Sequence, residues 1–276
     1  MAAPLAGAGH QGTHRLTAEA LFLPREDGFQ PTELARGPWD PEFQHGGPPA
    51  ALLARAVEGM EAPASMQVAR LTVEFLRPVP LHSVEIATRL ARPGRRVQLI
   101  EASLSVEGDE VCRARAVRIR TEAVLAAGDL PRPEPAPDLP EEGWSFPPPT
   151  GDADRVAFHR DGVELRPLGR PRRGPGTAWI RLRYPLVAGE DPSPLVRVAA
   201  AADFGNGISP VLDFRRHLYI NPDLTVYLHR LPEGEWVALQ SVTYAEAHGV
   251  GMAESALFDR RGRIGRSLQS LYLDRR

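Results

Sequence analysis

The sequence predicts an α+β protein in which one unit, an antiparallel sheet wrapped around a central helix, occurs twice in a chain of 276 residues. Three observations carry this. Each half reads as an Ala-rich apolar helix followed by four alternating, strand-like runs. The strand runs of the two halves keep one constant register. A proline-rich stretch separates them. The length suits one large or two small domains with a real core.

The elements follow in order. Met1 to Gly12 is rich in Ala and Gly and reads as a frayed start. Within Phe43 to Met60, Gln44-His45-Gly46-Gly47-Pro48-Pro49 leads into the apolar run Ala50 to Val57, a helix N-terminus followed by its helix. Leu71, Val73 and Phe75 then alternate with Thr72 and Glu74, and Val84, Ile86 and Thr88 with Glu85 and Arg89. Val97–Val106 and Val111–Ile119 follow, with a turn at Gly108 and Asp109. From 122 to 154 the prolines at 131, 133, 135, 137 and 147–149 exclude regular sheet or helix. Beyond them come a strand over Ala178–Tyr184, a helix over Pro194–Phe204, and strands over Leu224–Leu228, Trp236–Val242, Gly251–Phe258 and Ile264–Leu273. The expected domains are 13–121 and 155–276, joined by the linker 122–154.

The register argues for duplication. Leu71-Thr72-Val73 recurs as Leu224-Thr225-Val226, an offset of 224 − 71 = 153. The same offset maps Arg77 onto Arg230, Val97 onto Val250 and Glu101 onto Glu254 without a gap. Two such halves would pair their sheets edge to edge, which protects the edges. A helix clasped by each sheet is buried on most of its surface, which accounts for two Ala-rich, nearly uncharged helices.

Composition narrows the function. Apolar residues make up 42% and charged residues 25%, with no segment able to span a bilayer and no signal peptide. A net charge of −2 argues against nucleic acid as partner. The single cysteine, Cys112, excludes an internal disulfide and a Cys-based zinc cluster, and reads as a small buried residue in a strand. His217, His229 and His248 lack metal-ligand spacing. All 33 basic residues are Arg, so any site for phosphate is built from Arg. Arg95, Arg96, Arg172 and Arg173 are the candidates noted.

Several segments now read together. His45-Gly46-Gly47 opens a helix, Phe75-Leu76-Arg77-Pro78 ends a strand, and Gly94-Arg95-Arg96-Val97 follows. The second half carries Ala202-Asp203-Phe204, then Asp223 to Arg230, then Gly262 to Gln269. In this order and spacing, from about Thr17 to Leu273, the chain resembles the acyl-CoA thioesterase II family. The resemblance implies a tandem (double) hotdog fold and hydrolysis of acyl-CoA to free acid and CoA. It also implies no metal and no cofactor, and a role in cytoplasmic lipid metabolism. A fused pair supplies the dimer a single hotdog needs, so larger homo-oligomers are optional.

By that resemblance an Asp, a hydroxyl residue and a Gln hold the attacking water. Asp203 and Gln269 match the first and last; Asn221 stands at the hydroxyl position, a departure, with Thr225 as a nearby alternative. Duplication offers an independent comparison. Subtracting 153 takes Gln269 to Ala116, Asn221 to Val68 and Asp203 to Ala50, so polar residues stand in one half where the other is apolar. The plainer readings are a helix cap for Asp203, a turn residue for Asn221 and a solvent-facing strand residue for Gln269. His45 reads as a loop or pocket-rim residue, with no Ser or Cys partner evident. Gly46 and Gly47 allow close backbone approach, where free N–H groups could polarise a thioester carbonyl. Two rival functions stay open: a non-catalytic acyl-CoA or acyl-chain binding module, and a hotdog enoyl-CoA hydratase. The hydratase usually needs an Asp/His pair close in sequence, and no His follows Asp203 closely.

Overall fold

Two prolines fix the start of the first long helix: Pro48 and Pro49 sit in its opening turn, where a missing N–H leaves no bond broken. The computed structural model describes residues 18–126, 128, 130–142, 155–170 and 172–276. The segment expected to fray, Met1 to Gly12, and the prolines at 147–149 lie outside these residues. The first half runs β1 (Phe22–Arg25), β2 (Gly28–Pro31), α1 (Gly47–Glu58), β3 (Met66–Phe75), β4 (Glu85–Arg92), β5 (Val97–Val106) and β6 (Asp109–Arg120). The second runs β7 (Val163–Pro167), β8 (Gly176–Leu182), α2 (Pro194–Ala202), α3 (Gly205–Ile208), β9 (His217–Ile220), β10 (Asp223–Leu228), β11 (Val237–Ala245), β12 (Val250–Asp259) and β13 (Gly262–Arg275).

The alternating runs form one 11-stranded sheet in the order β4-β5-β6-β3-β10-β13-β12-β11-β8-β7, with β9 added beside the end of β13. The first four strands and the next four are the same meander, related by a pseudo-two-fold axis between β3 and β10. The register locates that axis. Thr72 lies opposite Thr225, flanked by Leu71 with Val226 and Val73 with Leu224. The two threonines are 225 − 72 = 153 apart, the repeat offset, and the Thr225 hydroxyl donates to that of Thr72 at 3.2 Å. The seam buries the edge strand that each half would otherwise expose. Tight turns set the meander: between β5 and β6, Glu107 and Gly108 have φ of 53° and 85°, the left-handed pair of a two-residue hairpin.

Both helices lie on the same face of this sheet. Leu52, Leu53, Ala54 and Val57 of α1 and Val196 and Val198 to Ala202 of α2 are buried in a core shared with Leu71, Val73, Leu224 and Val226. Ser193 caps α2, its Oγ accepting from Val196 N–H at 3.2 Å. The helices meet antiparallel. Gly47 at the start of α1 lies so close to the Ala200 carbonyl that a Cβ would sit 2.8 Å from it, and Ser193 at the start of α2 bonds Glu58 at the end of α1. The start of α1 therefore lies beside the end of α2. The helix starts, 194 and 47, differ by 147 rather than 153, so helix register slips by six against the strands. By the helices, Asp203 corresponds to Ala56 and not to Ala50.

The proline-rich segment docks rather than hangs free where it is described. Trp179 Nε1 donates to the Asp138 carbonyl at 2.9 Å, Arg166 to that of Pro140 at 2.9 Å, and the Arg263 N–H to that of Glu134 at 2.9 Å. Ala136 and Leu139 pack on the cluster of Trp179, Trp236, Ala238 and Phe258. Cys112 is fully buried in β6, and burial pushes its thiol pKa up. Among the described residues no helix is long and apolar enough to cross a membrane.

Candidate active site

The end of α2 is an awkward place for a carboxylate, because the unpaired helix carbonyls there carry partial negative charge. Asp203 occupies it and is 5% exposed. Such a group needs donors, and the fold delivers them from separate elements. Asn221, in the turn between β9 and β10, donates through Nδ2 to Oδ1 at 2.7 Å. Gln269, on β13, donates through Nε2 to Oδ1 at 3.1 Å and to the Asp203 carbonyl at 3.3 Å, while its Oε1 accepts from Asn206 N–H at 3.3 Å. The three residues singled out in the sequence converge. Gln269 is 1% exposed and sits behind the carboxylate, so it holds Asp203 itself. Gly205 makes this possible: a Cβ there would meet Gln269 Oε1 at 2.7 Å.

The other carboxylate oxygen faces the first half of the chain. His45 Nδ1 lies 2.9 Å from Asp203 Oδ2 and 3.1 Å from the Gly47 nitrogen. The imidazole stacks on Phe204, with ring centroids 4.9 Å apart, and meets Phe158 at 5.1 Å. Gly46 is needed here too, since a Cβ would come within 2.8 Å of Asp203 Oδ2. Sequence reasoning placed His45 at a rim; the antiparallel helix contact brings it into the carboxylate set. Proline removes the N–H groups at 48 and 49, so of the helix-start amides only Gly46 and Gly47 remain, and that of Gly47 points at His45. At the pseudo-symmetric location the corresponding residues, Ala56, Val68 and Ala116, carry no side-chain hydrogen-bonding group.

The N-terminal-domain model of the acyl-CoA thioesterases matches residues 35–119, and the C-terminal-domain model matches residues 129–273. The chain belongs to the acyl-CoA thioesterase family. As an enzyme it is a thioester hydrolase. Solved structures support the fold. The thioesterase is similar to a hotdog-fold protein of unknown function from Alicyclobacillus acidocaldarius, at 17% identity over 93% of this chain and 97% of that one, with a TM-score of 0.69. It is also similar to acyl-CoA thioesterase II from Mycobacterium marinum, at 14% identity over 84% and 90% of the chains, with a TM-score of 0.61. No curated protein matches significantly.

In this thioesterase the set opens on a cavity of about 1840 Å³. His45, Gly46, Asp203 and Asn221 line it, beside an apolar wall that includes Phe43, Phe75, Phe204, Ile208 and Leu218. Arg172 and Arg173 also line it, with Arg170 and Arg215, whereas Arg95 and Arg96 do not. Thr225 lies in the sheet seam, bonded to Thr72, and does not line the cavity.

His159 lines the same cavity from the π-helical turn Phe158–Gly162, an element not visible in the sequence pattern. Among the described residues neither ring nitrogen has a hydrogen-bond partner. Burial, with His45 and Arg160 nearby, pushes its pKa down to about 4, so it is neutral in the folded enzyme at pH 7. The sign follows from linkage. The unfolded chain binds a proton at the usual value of 6.5, and the fold does so only near 4. Stability therefore falls as pH drops through 6.5 and levels off below about 4, a total of about 3 kcal/mol. His159→Phe is expected to remove this contribution. Melting curves from pH 7 to pH 4 should show a smaller acid loss in the variant; parallel losses would contradict the assignment.

Proposed function

We propose that the enzyme hydrolyses an acyl-CoA to free acid and CoA, using water activated by the set of Asp203, Asn221 and Gln269, in which Gln269 holds the carboxylate and Asp203 and Asn221 face the cavity. The carrying observation is a buried carboxylate fixed by two amides and presented to a large, mostly apolar cavity. In this reading each sheet wraps its helix as a hotdog, residues 13–121 and 155–276 are the two units, and the acyl chain lies along the apolar wall. Arg172 and Arg173, with Arg170 and Arg215, offer guanidinium groups to the phosphates of CoA. Asn221 keeps one amide hydrogen and its carbonyl oxygen for the water. Among the described residues the Gly46 N–H has no hydrogen-bond partner, which suits it to the carbonyl oxygen of the thioester as negative charge develops. A thioester is an activated acyl group, so water attacks directly and no covalent nucleophile is required. The reaction needs neither metal nor cofactor and belongs to cytoplasmic lipid metabolism.

One observation favours a second reading, an enoyl-CoA hydratase: the Asp/His pair missing along the sequence is supplied across the helix contact, by His45. A single assay separates the two. Purified enzyme is incubated with saturated and enoyl-CoA thioesters of graded length and a thiol reagent, before and after exhaustive chelation. Hydrolysis releases thiol and acid in equal amounts and survives chelation. Loss of the enoyl absorbance without thiol would establish hydration, and no turnover on any member would overturn both.

A further inference from the structure

We propose that the atom accepting the proton from the attacking water is Nε2 of His45, and that Asp203 is its orienting partner. This rests on the thioester-hydrolysis reading above. Asp203 is already heavily engaged: Oδ1 accepts from Asn221 and Gln269, and Oδ2 faces His45 Nδ1 at 2.9 Å. Three contacts from three elements fix the carboxylate in one orientation, which is what a group must have if it is to hold an imidazole.

The tautomer follows from charge. Nδ1 lies between an acceptor, Asp203 Oδ2 at 2.9 Å, and a donor, Gly47 N–H with its nitrogen at 3.1 Å. With the proton on Nε2, Nδ1 would turn its lone pair toward a carboxylate oxygen at contact distance. With the proton on Nδ1, it makes a charge-assisted bond to that oxygen, roughly twice as strong as the neutral bond from Gly47. The proton therefore sits on Nδ1, and Nε2 carries the lone pair. Among the described residues Nε2 has no hydrogen-bond partner, and the ring lines the cavity while Phe204 and Phe158 hold its plane. Among the described residues, Asp203 and His159 are the ionisable groups seen facing the ring, the latter neutral.

The steps balance. Nε2 takes a proton as the water oxygen bonds the thioester carbon, and the carbonyl oxygen becomes an oxyanion. The oxyanion collapses, the C–S bond breaks, and His45 returns the proton to the leaving sulfur. The sum is thioester plus water to acid plus thiol. Asp203 stabilises the imidazolium in between and stays ionised.

The test uses His45→Ala and His45→Gln, with folding followed by circular dichroism. Turnover of both is expected to fall by about a hundredfold to ten-thousandfold, with little change in KM. Added imidazole should restore part of the activity of His45→Ala, while pyrazole, similar in shape but a far weaker base, should not. A folded His45→Gln with parental turnover would overturn the proposal and leave hydrolysis at Asp203 standing. Equal rescue by pyrazole would overturn it as well, making His45 a packing residue. A parent that cleaves no acyl-CoA would remove the hydrolysis reading and this inference with it.

Discussion

Asp203→Asn is expected to slow thioester cleavage by about a hundredfold to ten-thousandfold while leaving the fold intact. The substitution keeps size and shape, so Asn221 and Gln269 retain a carbonyl oxygen to donate to. What changes is the face toward His45, where an amide NH₂ replaces Oδ2. That group donates to Nδ1, forces the imidazole proton onto Nε2 and blocks the lone pair that would meet water. Loss of the charge also relieves a carboxylate buried at a helix C-terminus, where the partial charges oppose it. Melting temperature should hold or rise while turnover collapses. A variant of equal stability that cleaves acyl-CoA as fast as the parent would make Asp203 a helix cap only.

The largest stability effect is expected far from the cavity, at Asp259. This residue is fully buried at the end of β12 and accepts from Arg230 Nη2 at 2.6 Å and from the N–H groups of Glu233 and Arg261, each at 2.8 Å. Asp259→Ala leaves a guanidinium and two amides without their acceptor, at a cost of about 3 kcal/mol, the low end for a broken buried pair because Arg230 keeps the Gly262 carbonyl. The duplication supplies a control. Arg77, the equivalent of Arg230, pairs instead with Asp109 at 2.9 Å, and both side chains are well exposed. Asp109→Ala should cost less than about 1 kcal/mol. Urea unfolding of the two variants against the parent decides it; equal losses would show that burial does not set the difference.

The strands were legible because a half-buried strand shows its alternation directly: Val97–Val106 was bounded to the residue. The seam was legible because repeat register and strand pairing coincide at Thr72 and Thr225. Helix register was not, since the connections around the helices differ in length between halves and nothing in the helices themselves reports a slip of six. The strands β1, β2, β7 and β9 are four or five residues long, too short to show a period, and Pro24, Pro31 and Pro167 mask the pattern in the first three. Asp203, Asn221 and Gln269 were legible through the family resemblance, and the comparison of the two halves agreed because the positions opposite them are apolar. His45 had no such signal: its partner is 203 − 45 = 158 residues away, and only the antiparallel meeting of α1 and α2 joins them.

That meeting of helices bears on ancestry. Had the two halves begun as identical subunits, the pair would have carried two equal sites, each borrowing a helix start from one copy and a helix end from the other. One mutation would then have altered both sites at once. Joining the copies in a single chain uncouples them, so one site can keep its acid, amides and imidazole while the other drifts to alanine and valine. On the proposed mechanism the surviving site draws on both copies, so neither half of the gene can be lost or exchanged alone without losing the chemistry.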